Sequence, residues 1–305
     1  MTLITHPAEA TVFAPDLPRG YDTVRSPWPG IDGAKLAVTV LLHAPSYQDD
    51  LPPGSVTPTS MQGGVGRDTS EPRHGQVARL SQWDFGLTVG IWRLLAIAER
   101  VGVPVAVALD EWGARTVPGL ARGVAERADE IVVRGAAANS ILSRTMDASS
   151  ELAYIESARD AVAHHTGRES AGWFSPERAS TPRTTALLRE AGFTWFGDWP
   201  IDERPVALSG GSAGLTAVPH PLETEDMFSL YTRGQPFTDY EDVLAATIDQ
   251  LVADADVVGP RHLGLSWFGW VSGQAAFADV AERTLRLLAA HPDVRIVTPG
   301  EVASL

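Results

Sequence analysis

The sequence predicts an α/β fold in which a mostly parallel sheet closes, or nearly closes, into a barrel of about seven strands wrapped by helices. Three observations lead there. From about residue 86 onward, short apolar runs alternate with amphipathic helical stretches. Most of these runs are separated by a helix, as parallel strands require. No Gly-rich turn of the dinucleotide-binding type follows any run, which favours a barrel over an open doubly wound sheet.

The run "LAVTVLL" (36–42) opens the sheet. "TVGIWRLLAIAERVG" (88–102) sets Ile91, Leu94, Leu95, Ala98 and Val101 on one helical face and leads directly into the buried strand "VPVAVAL" (103–109). A helix over 118–127 precedes "EIVV" (130–133). Leu152, Ile155 and Val162 stay in phase through "SSELAYIESARDAVAHHTG" (149–167), before "GWFS" (172–175). Pro182 suits the first turn of the next helix, which ends near Gly192 ahead of "FTWFGDW" (193–199). After a Gly-rich turn, "LTAVPH" (215–220) reads as a strand. Thr238 and Glu241 have capping-box spacing in front of the helix "DYEDVLAATIDQLVADAD" (239–256). "HLGLSWF" (262–268), a helix over 274–291 and "VRIVT" (294–298) complete the series.

The chain is expected to be a single barrel domain over 1–305, with an N-terminal extension over 1–33 and a long loop over 44–80. The loop is rich in Pro, Gly, Ser and Thr and has neither helical nor strand period. It leaves from the end of the first strand, so a lid or a subunit contact is expected of it rather than disorder.

Composition excludes several classes of function. There is no cysteine, hence no disulfide, thiolate nucleophile or Cys-ligated zinc. The formal net charge of −14 opposes a phosphate backbone, and no basic run interleaved with aromatics offsets it, so nucleic acid is not an expected partner. Apolar residues make up 44% of the chain, yet no stretch of about 18 residues lacks a charge, so no membrane span is expected. The opening residues lack a basic start followed by an apolar core, which predicts a cytoplasmic protein.

Several stretches, in order, resemble the polysaccharide deacetylase (NodB homology) superfamily, and within it the branch that includes cofactor-independent allantoinases. They are "SPWPGIDGAKLAVTVLL", "DFGLTVGIWRLL", "TGRESAGWFSPERASTPRTTALLREAGFTWFGDWP", "AVPHPLETEDM", "WVSGQ" and "VRIVTPGEVA", which together cover roughly residues 20 to 303. The resemblance implies a distorted (β/α) barrel of about seven strands and hydrolysis of C–N bonds outside peptides. It also implies an Asp pair after the first strand, two His metal ligands and a late His acid. This sequence departs at each position. His43 and Ala44 stand where the acids are expected, Arg134 replaces the first metal-binding His, and Phe268 takes the place of the late His.

Barrel chemistry sits at the C-terminal ends of the strands, and the candidates follow from that. His43 could act there as a base or a ligand, or be a satisfied polar residue under the loop. Arg134 could hold a carboxylate or polarise a carbonyl, or fill the space of a lost metal as a structural ion pair. Asn139 and Ser140 match an "NS" of the allantoinase-like branch and could bind an amide, although Asn-Ser is also a common helix cap. Glu177 and Arg178 occupy the loop in which the superfamily carries a site arginine, and a surface ion pair is the competing reading. Asp198 falls in the family's "DW" element, whose acid orients a partner. His220, Glu223 and Asp226 gather at another strand end, with a spacing too ordinary to define a metal site. Trp267, Phe268 and Trp270 could stack on a planar substrate or simply be core.

The reading that follows is an enzyme acting without metal or cofactor on a C–N bond of a small amide, imide or ureide. In it His43, or an acid from Asp198 and Glu223, handles protons and Arg134 supplies positive charge. Two others stand beside it: a changed reaction such as isomerisation, cyclisation or elimination, and an inactive homologue that binds a ligand or partner. A homo-oligomer is expected from the long loop and from the resemblance.

Overall fold

The computed structural model describes residues 28–58 and 77–305. Its central stave is β1 (Leu36–Ala44), buried along its whole length. One edge of β1 pairs in parallel with β8 (Arg261–Phe268), from Leu36 to His43. The other edge is shared: β9 (Val294–Val297) pairs with Leu36–Thr39, and β2 (Ala106–Leu109) with Leu41–Ala44. Beyond β2 the sheet continues in parallel through β3 (Glu130–Val133), β4 (Gly172–Trp173), β5 (Trp195–Phe196) and β7 (Thr216–Ala217). A short antiparallel strand, β6 (Val206–Ala207), ends the row. The far edge of β8 is met by connecting chain, the His262 N–H donating to the Glu203 carbonyl and Glu225 bridging to Ser266. The result is a distorted, partly closed (β/α) barrel.

Strand parity separates its two faces. Leu36, Val38, Val40 and Leu42 of β1, with Leu263, Leu265 and Trp267 of β8, pack outward against Ile91, Leu94, Leu95 and Ala98 of the helix α2 (Ile91–Val101) and its neighbours. Burying each such side chain contributes about 1.5–3 kcal/mol. The alternate residues turn inward, where Ala37 and Leu41 meet Phe174, Trp195 and Val218. Thr39 and His43 of β1, and His262 and Ser266 of β8, are the polar residues of the same parity.

Helix α1 (Val77–Phe85) runs through a π-helical stretch, Gly86–Gly90, into α2. This turn lies directly on the chain that leaves β8. A Cβ on Gly90 would sit 1.8 Å from the Gly269 carbonyl oxygen, and one on Gly273 would sit 2.1 Å from the same atom. Only glycine permits so close an approach.

Helices α3 (Glu111–Thr116) and α5 (Ala148–Thr166) begin at aspartate caps, Asp110 and Asp147, and α5 stops at the left-handed Gly167. Three expected starts differ. Helix α7 (Phe237–Val258) begins after Pro236, one residue before Thr238, so Thr238 is already inside the helix and cannot cap it; Glu241 pairs with Arg283 instead. Helix α6 (Thr184–Glu190) starts beyond Pro182, and α8 (Ala278–Ala290) starts four residues after Gln274, whose amide donates to the Trp270 carbonyl. Of the expected long loop, residues 59–76 lie outside the described residues, as does 1–27 of the expected extension. The loop ends earlier than expected, since α1 is helical from Val77. Among the described residues, no helix is long and apolar enough to cross a membrane.

Candidate functional site

The site is built where β1, β3 and β8 end. In register, His43 of β1 lies beside Phe268 of β8, and Arg134 follows the last residue of β3, its N–H donating to the Leu109 carbonyl. His43 stacks on the Phe268 ring at 4.4 Å between centroids and 13° between planes, and meets the edge of Phe174 at 4.7 Å. The Arg134 guanidinium lies 5.4 Å from the centre of the same Phe268 ring. Both ring nitrogens of His43, and Nε and Nη1 of Arg134, are buried with no hydrogen-bond partner among the described residues. Burial, then the charge of Arg134, holds the His43 imidazole well below its ordinary pKa, so it is neutral near pH 7. Burial also lowers Arg134, while Asp110, Glu177 and Glu225 support its charge.

The surrounding acids are held by short hydrogen bonds. Asp110 accepts from the Ser46 N–H at 2.6 Å, the Ser46 hydroxyl at 2.5 Å and the Gly113 N–H at 2.8 Å. Asp198 accepts from the Ser175 N–H at 2.6 Å and its hydroxyl at 2.7 Å. Burial pushes both carboxyls up to about 6 against the pull of those donors. Glu225 forms a buried pair with Arg178 at 2.6 Å, and Arg178 lies 4.8 Å over the Phe174 ring. Glu177 and Arg178 both have left-handed backbone, φ 53° and 51°, a conformation that costs energy without glycine and recurs at functional sites.

The structure thus gathers His43, Arg134 and Phe268, with Arg178 and Glu177 on the same rim. His220 belongs to the interior beside them: its Nδ1 is 2.9 Å from the Val218 carbonyl, its Nε2 has no partner among the described residues, and its ring faces Phe174 and His262. A Cβ on Gly264 would come within 2.5 Å of that ring, so the glycine makes room for it.

Other expected residues lie elsewhere or are already engaged. Glu223 is not at the site: its side chain is 58% exposed and pairs with Arg233. The 3-10 turn Leu222–Thr224 points it outward and brings Glu225 inward. Asp198 stays beside the site, where the charges of Arg178 and Arg134 reach it, but both its oxygens accept from Ser175, next to Phe174. Both ends of the Asn139 amide clip the main chain of Gln48, and the Ser140 carbonyl accepts from Tyr154; neither residue caps a helix. Trp267 has the outward parity and donates to Tyr240 in the core. Trp270 packs between Trp83 and Tyr231. Asp226 is inside the fold but engaged, accepting from the N–H groups of Met227, Phe268 and Ser272; burial raises it to about 7.

Phe174, Asp110, Ser175 and Glu225 are the members the sequence did not single out. Asp110 was signalled, since it directly follows the apolar run of β2. A cavity of about 630 Å³ opens between α3 and α5, with Tyr154, Trp112 and Ser140 among its walls. Tyr154 donates to the Ser140 carbonyl and accepts from the Ala136 N–H, two residues beyond Arg134. The metal that the resemblance implies does not fit these residues. Among the described residues no three His, Asp or Glu side chains converge as a ligand set, and Arg134 sets a fixed positive charge where a ligand is expected.

No protein-family model and no curated protein matches the chain. Solved structures do. A putative polysaccharide deacetylase from Mycobacterium smegmatis superposes with a TM-score of 0.76 at 19% identity, over 92% of this chain and 93% of that one. A probable polysaccharide deacetylase from Pseudomonas aeruginosa PAO1 gives 0.76 at 21% identity, over 91% and 92%. The allantoinase Puue gives 0.76 at 20% identity, over 96% and 97%. The chain therefore has the distorted (β/α) barrel of the polysaccharide deacetylase, NodB-homology fold, in a form shared with an allantoinase.

Proposed function

We propose that the protein is an enzyme that hydrolyses a C–N bond outside peptides, in a small amide, imide or ureide, with His43 and Arg134 as its reacting groups. The observation that carries this reading is the pair itself: a buried neutral imidazole and a buried guanidinium, each with unpartnered nitrogens, at the strand ends of a barrel shared with deacetylases and an allantoinase. In the first step His43 takes a proton from water as its oxygen bonds to the carbonyl carbon, and the negative charge that forms on the carbonyl oxygen faces Arg134. In the second the C–N bond breaks and the imidazolium returns its proton to the leaving nitrogen. A lowered pKa makes His43 a weak base but a strong acid once protonated, which suits the second step better than the first.

The Phe268 ring stacked on His43 favours a second reading, a homologue that binds a ligand without turning it over. The two separate on a panel of linear amides, cyclic imides and ureides assayed with the protein and with His43→Ala. The enzyme reading expects turnover that falls by roughly a hundredfold or more in a folded His43→Ala variant. Binding of a panel member without turnover supports the second reading.

A further inference from the structure

We infer that the strand-end cluster takes a ligand bearing a carboxylate, seated against Arg134. Arg134 is 2% exposed, and its Nε and Nη1 have no hydrogen-bond partner among the described residues. The acids around it are committed: Asp110 to Ser46 and Gly113, Asp198 to Ser175, and Glu225 to Arg178. Glu177 adds charge from the rim.

A guanidinium withdrawn from water needs both countercharge and acceptors for its N–H groups. A carboxylate supplies the two in one plane that matches the guanidinium fork, whereas a neutral amide offers an acceptor and no charge. Arg178 is paired with Glu225 at 2.6 Å, whereas Arg134 keeps Nε and Nη1 without hydrogen-bond partners among the described residues, and the carboxylates of Asp110, Glu177 and Glu225 act on it only through their charge. Those carboxylates would oppose a phosphate dianion more than a carboxylate. His43, with both ring nitrogens unpartnered among the described residues, is available as a further donor.

The inference deepens the hydrolase reading by making the substrate an amido or ureido acid whose carboxylate takes part of the Arg134 fork and leaves its remaining N–H groups for the carbonyl oxygen, but the binding itself is tested without turnover. The full chain is titrated with sodium acetate and, separately, with its neutral isostere acetamide, at constant ionic strength. The His43 ring and Arg134 Nε–H signals are followed by NMR. Acetate is expected to shift both and acetamide neither. Arg134→Gln, checked for fold by circular dichroism, is expected to weaken acetate by about ten- to a hundredfold, read from His43. If that variant does not fold, Arg134→Lys keeps the charge without the fork and is expected to bind acetate more weakly than arginine does. No acetate shift in the unaltered protein, equal binding of acetamide, or unchanged affinity in the folded variant overturns the inference. A protein that binds acetate but hydrolyses nothing loses the hydrolase reading alone; one that hydrolyses neutral amides and ignores acetate loses this inference alone.

Discussion

The His43 imidazole and the Phe268 ring stack at 4.4 Å, and that contact removes the histidine from water. His43 is therefore expected to stay neutral across the range in which an exposed histidine titrates, about pH 5.5 to 8. The check is the ¹⁵N shift of its ring over that range. Phe268→Ala opens the face of the ring to water, so its midpoint is expected to move upward toward the ordinary value. A normal titration in the unaltered protein contradicts the stack.

Stability near neutrality is expected to vary little with pH, because two buried sets oppose each other. Asp110 and Asp198 near 6, and Asp226 near 7, bind protons more readily folded than unfolded, so their contribution strengthens as pH falls from about 7 toward 4. His43, His220 and His262, the last lowered to about 3, refuse protons that the unfolded chain takes up below about 6.5, so theirs weakens over the same window. The two sets act in opposite directions over this window, which flattens the slope. Below about pH 4 the unfolded carboxylates protonate as well and stability falls. Thermal melts from pH 3 to 8 test this; Asp226→Asn, which removes one member of the first set, should add a loss on acidification between about pH 7 and 5.

Two glutamates two residues apart predict opposite outcomes. Glu225→Gln leaves Arg178 buried without its counter-charge and should cost about 3–5 kcal/mol in denaturant unfolding. Glu223→Gln breaks an exposed pair with Arg233 and should leave both stability and any turnover unchanged.

Gly90→Ala is expected to cost about 3 kcal/mol or more, since the added methyl would lie 1.8 Å from the Gly269 carbonyl oxygen and both partners are backbone. Turnover should fall with it, because the displaced chain begins one residue after Phe268. Equal stability of the variant by calorimetry would refute the close packing.

The long elements were legible because each carries its own period or caps: β1 and β8 as apolar runs, α5 between Asp147 and Gly167. His43 and Arg134 were found because they follow such runs directly. Parity was not legible in β8. Trp267 and Phe268 are equally apolar in a strand buried on both faces, and only pairing with β1 turns Phe268 to the site and Trp267 to Tyr240. Between Pro221 and Asp226 a 3-10 turn replaces strand alternation, so the inward acid is Glu225 rather than Glu223. The Gln48 clip on Asn139 joins positions 91 residues apart and has no local signature.

The shared edge of β1 has a kinetic meaning. Its upper half can pair early with β2, but its lower half and its entire opposite edge wait for β9 and β8, and the Thr39–His262 contact spans 223 residues of sequence. Closing such loops slows folding, because their entropy is lost before the contacts form. Phe268 comes to His43 only with β8, so the site is assembled in the late steps of folding. During refolding, secondary structure should return before the His43 signals become native, and a chain arrested before β8 docks would present a sheet with its longest strand open on one side.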